Sequence, residues 1–473
     1  MLRKHCNRWL LIVVCVLLLS ACIPYSFSPP VELHINPGDE MLQAQVAMDT
    51  EGVSHIVGVV DDRIVYYRTR YGEPIITATF TMSGSGTDWK QYSPEIAVTD
   101  SRTAYLVWIE QRGGPEKFAC WRNLTYIPPI GGWTRYCNPL DGNNQTTGNV
   151  RVVARGDKAY AVYDRMYTGD SNGRIGELMY KELTHPSTTG HVWWYTDYFE
   201  TGFIYSLDLG IDSQGYLHVG LLDNYTNTGS PPFTERLSLH SNASVYADGD
   251  MTQHWPIFTG TRLDESIPVS LSFFNDSSDV EYVVLADGEG SDPTSDEIWL
   301  DYCEAVGCTG HHAHFVDLPS SWDTYSVIID VEILGIGQNL HLSFIGLDNT
   351  TIKKQVYYMD DAFSSDPPNN ISHTEDTQKL TLEMTPVVGR DPDYPLIFPA
   401  TAWMETDFAS KTDYFVFDGL FIKTHVFGKY CDPVFSTAYI SSNGIYFSGV
   451  WVACYSTWFS TQAWTGQLPL IMK

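Results

Sequence analysis

The chain is short of basic residues, and beyond its N-terminal segment it has no long apolar run. It contains 28 Lys and Arg residues against 57 Asp and Glu residues, for a formal net charge of -29 at pH 7. A surface of this sign repels nucleic acid and anionic lipid, so neither is expected as a partner. Because no later stretch approaches the roughly 18 apolar residues of a membrane-spanning helix, the rest of the chain is predicted to be soluble and exported.

Helical periodicity and the usual cysteine spacing of zinc sites are missing as well. β-Branched and aromatic residues fill short runs between Asp, Gly and Ser, and no 3.6-residue period connects them. No C-x-x-C pair occurs, and the one Cys/His cluster is Cys308 with His311, His312 and His314. This cluster could hold zinc, but the glycines around Cys308 favour a solvated loop.

The chain has instead one short unit that recurs about eight times. The clearest copy runs over residues 46–68 and reads as strand, turn at Gly52, strand, turn at Asp61 and Asp62, and strand. The first large residue of the second strand marks seven copies: His55, Tyr105, Tyr160, His218, Tyr282, His341 and Tyr446. An eighth copy, without this marker, surrounds residues 394–398.

A period of roughly 40 to 65 residues with three or four short strands is typical of β-propeller blades. The predicted fold is therefore all-β, a single β-propeller of about eight four-stranded blades over residues 38–473. Seven blades is the first alternative, and two β-sandwiches are disfavoured because no linker separates the fourth and fifth copies. Residues 30–37 are predicted to add a strand to the last blade and so join the two chain ends.

The N-terminus predicts export. Three basic residues precede an apolar run over residues 10–19, and Leu19-Ser20-Ala21-Cys22 ends this run. The pattern resembles the signal of bacterial lipoproteins, with a plain signal peptide as the alternative. The resemblance implies a signal peptide over residues 1–21, a lipid on Cys22 and a short tether within residues 22–37. It further implies an exported protein that its lipid holds at the cell surface or in an outer leaflet.

The other cysteines fit an oxidising compartment. Six remain beyond the signal region, and neighbours in sequence are the favoured partners, although other connectivities and reduced thiols stay open. The predicted disulfide pairs are Cys120 with Cys137, Cys303 with Cys308, and Cys431 with Cys454.

The repeated units resemble the degenerate repeats of sialidase-like propeller families. Asp49-x-x-Gly52-x-x-His55 and Asp212-x-x-Gly215-x-x-His218 are the best copies. The Ser-x-Asp-x-Gly-x-x-Trp box of that family has no intact copy, and its arginine motif is missing. The resemblance therefore implies the fold rather than sialidase activity, which needs three arginines to hold a substrate carboxylate.

Two acidic groups are candidate sites. A glycine-containing loop with Asp287, Glu289, Asp292 and Asp296 offers the oxygen ligands that calcium prefers, although a solvated turn is favoured. The second group is expected on first strands, where carboxylates that converge in a propeller could act in glycoside hydrolysis. Its members are Asp208, Asp330 and Glu332.

The markers His55, His218 and His341 suggest a catalytic series at first sight. Tyrosine stands at the corresponding position of other copies, which favours a packing role. No catalytic motif is found, so we expect a binding or scaffold module for an extracellular glycan or envelope protein rather than an enzyme. The alternative is a sialidase-like or carboxylate-pair glycoside hydrolase. No cofactor is expected unless the acidic loop binds calcium, and the lipid makes the membrane a partner.

Replacing Cys22 with Ala removes the predicted lipidation site. We expect Cys22→Ala to leave the membrane fraction, because each buried acyl methylene contributes about 0.8 kcal/mol to membrane binding. Cell fractionation with immunoblotting measures the distribution. Cys15→Ala, within the apolar run of the signal, is the control that should stay membrane-bound. An unchanged distribution of Cys22→Ala would dismiss the lipoprotein interpretation.

Overall fold

The described part of the chain is all-β. The computed structural model describes residues 31–32, 42–49, 53–69, 76–79, 89–114, 116–124, 137–140, 148–167, 175–185, 191–195, 204–224, 233–241, 255–262, 269–275, 281–287, 297–303, 311–315, 328–336, 339–348, 353–359, 362, 368–370, 376–379, 388–389, 400–407, 412–419, 422–427, 432–435, 439–441, 444–446 and 450–453. Every regular element in these ranges is a β-strand, and none of them contains a helix with the length and apolarity to cross a membrane. The predicted signal and Cys22 lie outside these residues.

Six four-stranded antiparallel sheets follow one another after a short first strand, β1 (Val31–Glu32), and each is a meander in chain order. Sheet 1 comprises β2 (Leu42–Met48), β3 (Ser54–Val60), β4 (Arg63–Thr69) and β5 (Ile76–Thr79), and sheet 2 comprises β6 (Trp89–Val98), β7 (Ala104–Arg112), β8 (Lys117–Leu124) and β9 (Asn138–Pro139). Sheet 3 comprises β10 (Val150–Arg155), β11 (Lys158–Tyr167), β12 (Ile175–Glu182) and β13 (His191–Tyr195), and sheet 4 comprises β14 (Ile204–Ile211), β15 (Leu217–Asn224), β16 (Phe233–Ser241) and β17 (Trp255–Arg262). Sheet 5 comprises β18 (Val269–Asn275), β19 (Glu281–Asp287), β20 (Glu297–Cys303) and β21 (His311–Phe315), and sheet 6 comprises β22 (Ile328–Ile336), β23 (Asn339–Asp348), β24 (Lys353–Met359) and β25 (Asn369–Asn370).

The six sheets pack face against face. Their first strands, β2, β6, β10, β14, β18 and β22, contact one another in succession and are called the inner strands here. Apolar clusters fill the spaces between sheets 1 and 2, 2 and 3, and 3 and 4. Because both faces of a sheet are covered, the middle of its second strand is mostly apolar, as over Ala104–Ile109, where all six residues are buried. This succession of sheets is the arrangement of β-propeller blades.

The C-terminal part is less regular. Its strands are β26 (Asp376–Lys379), β27 (Val388–Gly389), β28 (Ala400–Asp407), β29 (Thr412–Gly419), β30 (Ile422–Phe427), β31 (Asp432–Phe435), β32 (Tyr439–Ser441), β33 (Gly444–Tyr446) and β34 (Val450–Ala453). Sheet 7 has the order β26-β28-β29-β30, while β1-β34-β31 and β27-β32-β33 are three-stranded sheets. Strand β1 pairs in parallel with β34, so the first and last described strands lie in one sheet, and within residues 30–37 the predicted strand is present over residues 31–32.

The repeat is confirmed over six copies. The markers from His55 to His341 lie on β3, β7, β11, β15, β19 and β23, the second strands of sheets 1 to 6. Tyr446 lies instead on β33, the edge strand of a three-stranded sheet. Residues 394–398 lie outside the described ranges. Within those ranges seven sheets have four strands, so the predicted count of eight four-stranded blades is not reached there.

The cysteine and histidine predictions have mixed outcomes. Cys120 of β8 and Cys137, which precedes β9, form a disulfide, so one predicted pair is present. Cys303 ends β20, whereas Cys308, Cys431 and Cys454 lie outside the described residues. The prediction of a solvated loop for the histidine cluster is wrong, because the three histidines lie on strand β21, which pairs with β20: His311, His312 and His314.

Directly after the inner strands of sheets 1, 2 and 4 comes a residue whose side-chain oxygen accepts a hydrogen bond from the backbone N–H four residues later. This bond stabilises the turn to the second strand. In sheet 4 the turn also needs Gly215 at φ +83°. The bonds join Val53 N to Asp49 Oδ1 (2.9 Å), Thr103 N to Thr99 Oγ1 (3.3 Å) and Tyr216 N to Asp212 Oδ1 (2.7 Å). The Asp-x-x-Gly pattern of the sequence is thus a turn-forming element.

The histidines of the two best copies are buried beside these aspartates. His218 Nε2 lies 3.2 Å from Asp212 Oδ2, and His55 Nε2 lies 3.8 Å from Asp49 Oδ2. Burial lowers the pKa of His55 despite Asp49. Burial alone would raise the pKa of Asp212, but hydrogen bonds from His218 and from two backbone N–H groups outweigh it and lower that pKa. Both histidines are therefore buried beside the turn that ends the inner strand, and the packing role that the sequence favours stays a prediction.

Replacing Asp212 with Ala should destabilise the protein. Asp212 accepts hydrogen bonds from Gln214 N, Tyr216 N and His218, and its loss removes all three and leaves the buried His218 without this partner, at a cost of about 2 to 4 kcal/mol. Urea denaturation followed by tryptophan fluorescence measures the midpoint. Asp157→Ala is the matched control, because Asp157 lies exposed in the corresponding turn of sheet 3. Equal midpoints for both variants would contradict the role of Asp212.

Candidate functional site

Six residues occupy the same register position on the six inner strands. Each pairs with the residue that comes two positions after the marker of the second strand. The pairs are Gln45 with Val57, Glu95 with Val107, Arg151 with Val162, Asp208 with Gly220, Ser272 with Val284, and Glu332 with Ser343. We call these six first-named residues the inner-edge row; all of them are polar or charged.

Three members of the row face the next sheet in the series. Cross-strand partners share a sheet face, and Val57, Val107 and Val162 belong to the apolar clusters between sheets 1 and 2, 2 and 3, and 3 and 4. Gln45, Glu95 and Arg151 therefore lie on those same faces, at the inner strand of each sheet. Polar side chains are tolerated there because this strand borders the inner edge rather than the apolar centre of the sheet.

Glu95 and Arg151 meet around the inner edge of β10. Arg151 Nη1 lies 2.9 Å from Glu95 Oε1, and Val152 N donates a hydrogen bond of 3.1 Å to Glu95 Oε2. Glu95 belongs to sheet 2, and Arg151, on β10 of sheet 3, faces the opposite way, toward sheet 4. The two side chains therefore meet at the free edge of β10. The side chains are 18% and 35% exposed for Glu95 and Arg151, which leaves the pair accessible to solvent.

The carboxyl group of Glu95 has a perturbed pKa. Burial raises its pKa from 4.5 to about 7, Arg151 and Val152 N oppose the shift, and the negative charge of Asp208 adds to it. One inner strand, β10, lies between the strand of Glu95 and the strand of Asp208, so Glu95, Arg151 and Asp208 hold the row position on three successive sheets. A carboxyl that is half-ionised near neutral pH, beside a second carboxylate and a guanidinium, can accept or donate both protons and hydrogen bonds.

β-Bulges precede or adjoin the row on several inner strands. Register shifts occur between Leu42 and Gln45 and between Tyr92 and Glu95, with further shifts at the starts of β14 and β22. Gln43 and Ser93 have φ values of +52° and +49°, which are unusual for residues other than glycine. Bulges of this kind redirect a side chain at the end of a strand and recur beside functional sites.

Further buried polar groups connect neighbouring sheets near the starts of the inner strands. Gln91 Oε1 accepts a hydrogen bond from Ile64 N of sheet 1, and Gln91 Nε2 donates to Glu110 Oε2. In sheet 3, Asn149 donates to Asp164 and to the carbonyl of Ile204 in sheet 4. These bonds satisfy groups that would otherwise be buried without partners, and they fix the sheets that carry the row.

The predicted site residues are placed as follows. Asp208 holds the row position on β14, and Glu332 holds the equivalent position on β22, two residues after Asp330. Asp287 ends β19, whereas Glu289, Asp292 and Asp296 lie outside the described residues.

One possible metal-binding group is ruled out by the disulfide. Glu110, Cys120 and Cys137 lie within 4.8 Å of one another, but both cysteines are oxidised and offer no thiolate to a metal ion.

Glu95 and Arg151 were missed by sequence reasoning. A signal for them exists: each member of the row precedes its marker by ten residues, or by nine in sheets 3 and 6. The variation arises because β10 and β11 are joined by a two-residue turn at Gly156 and Asp157, shorter than the turn after Thr99. A search at nine or ten residues before each marker would have found the whole row.

Comparisons with known proteins give no family. No protein-family model matches the chain, and no curated protein matches it. Among solved structures, it is similar to an alpha-L-arabinanase from Penicillium chrysogenum (11% identity, 71% of this chain and 96% of that chain, TM-score 0.37). It is similar to an endo-arabinase from Bacteroides thetaiotaomicron (12% identity, 62% and 99% of the two chains, TM-score 0.30). It is also similar to prolyl oligopeptidase B from Galerina marginata (9% identity, 86% and 53%, TM-score 0.43). Nothing about the activity of this chain follows from likenesses at these scores.

The pH dependence of stability should report on Glu95. Between pH 4.5, its ordinary pKa, and about 7, its pKa in the fold, the unfolded chain ionises this group while the folded chain keeps the proton. The wild type should therefore lose about 3 kcal/mol relative to Glu95→Gln as pH rises through this interval. Thermal unfolding of both proteins from pH 4.5 to 8 measures the difference.

The matched control for this experiment is Glu116→Gln, which removes a carboxyl group from an exposed position. Its stability should follow that of the wild type across the same pH range. Parallel curves for the wild type and Glu95→Gln would show that burial does not perturb Glu95.

Proposed function

We propose that the chain is a surface-anchored β-propeller that binds an extracellular glycan at the inner-edge row. The observation that carries the proposal is the ion pair of Glu95 and Arg151 from two successive inner strands, with Asp208 at the same register position of the next inner strand. Residues from separate strands converge there only because the sheets pack side by side. Polar groups that converge on a partly exposed inner edge are the expected composition of a ligand site.

Saccharides match this set of groups. A sugar hydroxyl donates one hydrogen bond and accepts others, while a carboxylate accepts only and a guanidinium donates only. Glu95, Asp208 and Arg151 therefore offer both kinds of partner to vicinal hydroxyls. Gln45, at the equivalent position of sheet 1, adds an amide that both donates and accepts. An envelope protein with exposed polar side chains is the other ligand class that the row would accept.

We propose further that the sheets close into a toroid of eight blades. Strand β31 contacts both β28 of sheet 7 and β2 of sheet 1, and β1 pairs with β34 of the same three-stranded sheet. These contacts support a last blade that joins the two ends of the chain. A seven-bladed ring, with the three-stranded sheets as additions, is the alternative. We also propose that this fold is similar to that of the sialidase-like propellers, without their activity.

The setting of the propeller is also a proposal. The sequence Leu19-Ser20-Ala21-Cys22 supports an exported lipoprotein, held at the cell surface or in an outer leaflet by lipid on Cys22. The loop with Asp287 and Asp296 supports a bound calcium ion. Calcium would then bind between the second and third strands of sheet 5. This loop is far from Glu95 along the chain, so the calcium proposal is separate from the proposal for the row.

A glycoside hydrolase is the second candidate. Glu95, with a pKa of about 7 beside Asp208, has the protonation behaviour of a general acid, and paired carboxylates hydrolyse glycosidic bonds. We favour binding because both oxygens of Glu95 accept hydrogen bonds within the protein, from Arg151 and from Val152 N. A general acid must direct one oxygen, with its proton, toward the leaving group.

A glycan array tests the proposal. The purified full-length protein, in detergent, should bind a defined subset of glycans, and Asp208→Asn should weaken that binding at least about tenfold by loss of a charged hydrogen-bond acceptor. Glu116→Gln, at an exposed position, is the control that should bind as the wild type does. Repeating the array with calcium and then with chelator tests the acidic loop, and incubating bound glycans with the protein tests hydrolysis. A blank array would overturn the glycan proposal.

A further inference from the structure

We propose that the propeller stands on the membrane with one particular end down: the end at which its inner strands finish. This end is called the turn end, because each inner strand leads there into the turn to the second strand; the opposite end, where inner strands begin, is called the start end. The inference rests on the proposed lipid anchor at Cys22 and adds the surface that meets the lipid headgroups. The direction of β1 and the composition of the turns support it.

The inner strands of sheets 1 to 6 all begin at the same end. Neighbouring strands of a sheet are antiparallel, so the fourth strand finishes where the first began, and the chain enters the next sheet from there. Strand β31 takes the place of an inner strand in the last sheet, because it contacts β2 and also β28 of sheet 7. In the order β31-β34-β1, strand β1 is therefore at the outer side of that sheet.

Strand β1 runs from the turn end toward the start end. It finishes at Glu32, and β2 begins at Leu42, at the start end. If β1 finished at the turn end, the ten-residue connection would have to return along β2, about 23 Å, and also cross from the outer side of one sheet to the inner strand of the next. The opposite direction needs only the crossing. It also agrees with the pairing, since β1 is parallel to β34 and β34 is antiparallel to β31.

The residues before β1 therefore reach it from the turn end. Cys22 precedes Val31 by nine positions, and nine residues span at most about 30 Å when fully extended. A strand of seven or eight residues is itself about 25 Å long. A tether that had to pass the start end would be used up along the side of the sheet. Lipid on Cys22 therefore holds the turn end close to the bilayer.

The described turns of this end are suited to lipid headgroups. Arg155 Nη1 donates to the carbonyl of Ile211 at 2.8 Å, which holds its guanidinium at the turn end. Lys158 Nζ donates to the carbonyl of Gly215 at 3.4 Å in the same way. The exposed charged residues of these turns are two acids and two bases, so this surface is neutral although the chain carries a charge of -29: Asp100, Asp157, Arg155 and Lys158.

A neutral surface does not repel anionic headgroups. Within residues 99–103, 155–158 and 212–216, no exposed side chain is apolar. The turn end is therefore expected to rest against the headgroup layer without entering the hydrocarbon. The start end, where Gln43 and Ser93 form the bulges of β2 and β6, is left open to the extracellular medium.

Energy transfer to labelled lipid tests the orientation. Asp157 at the turn end and Glu116 at the start end are matched sites, because both are exposed carboxylates in hairpin turns. The amino acid p-acetylphenylalanine replaces Asp157 in one preparation and Glu116 in another, and it takes a donor dye without using the cysteines. Full-length lipidated protein is added in detergent to preformed phosphatidylethanolamine–phosphatidylglycerol vesicles with acceptor-labelled headgroups. Transfer from position 157 should be at least about twofold more efficient, because the two ends are about 25 Å apart.

Two controls isolate the tether. Cys22→Ala with either label should show no transfer, because the protein without lipid stays in solution. A flexible Gly-Ser insert of about 30 residues before Val31 should reduce the difference between the two positions, because the propeller can then turn over on its anchor.

The outcomes separate the orientation from the anchor. More efficient transfer from position 116, or equal transfer from both, would overturn the orientation while leaving the lipoprotein proposal in place. An unchanged difference with the long insert would overturn the tether as its cause. A full-length protein whose mass shows no lipid and which does not bind the vesicles would overturn both proposals. Stronger transfer from position 157 that the insert reduces would support both.

Discussion

The free edge of the inner strand is the constraint on which the rest of this structure depends. A first strand pairs with one neighbour only, so half of its backbone N–H and C=O groups face away from the sheet and need other partners. Side chains from adjacent sheets supply them. Glu95 accepts from Val152 N of β10, Gln43 accepts from Ser93 N of β6, and Asn149 donates to the carbonyl of Ile204 in β14. The polar groups at the inner edge therefore hold the sheets together.

The same constraint explains why charged residues are stable there. Apolar clusters hold the sheets together further out, where both faces are covered and second strands are apolar. At the inner edge a carboxylate such as Glu95 has a backbone donor and a guanidinium within reach, so its burial is partly compensated. Its raised pKa shows that the compensation is incomplete. A group in this condition is sensitive to any ligand that brings hydrogen-bond donors or charge to the row.

Sequence alone predicted much of the fold and less of the site. The all-β fold and the repeat follow from strand patterns, and the marker residues lie on second strands from His55 to His341. The prediction weakened after residue 370, where β26 pairs with β28 rather than with the next strand in sequence and Tyr446 falls in a three-stranded sheet. Local patterns specify strands and turns well, but sheet membership at the chain ends depends on long-range pairing that they do not contain.

The site was only partly visible in the sequence for a related reason. Asp208 and Glu332 stood out as acids in probable first strands, whereas Glu95 and Arg151 carry no motif. Their importance comes from register, and register depends on turn lengths, which shift the first strands of sheets 3 and 6 by one residue against their markers. When the first strands are aligned by register, Glu95, Arg151 and Asp208 hold the same position on successive strands, and the sign of the charge alternates from one strand to the next.

This alternation gives the inner edge its chemical character. The charge of a cation between two anions on successive strands is neutralised by those anions, and the net charge of the three groups is negative. Had two or three arginines occupied neighbouring positions of the row, their mutual repulsion would have been relieved by a ligand carboxylate, and an acidic sugar would be the natural partner. The inner edge can therefore use its charges to orient hydroxyl groups while keeping the ion pair that joins sheets 2 and 3.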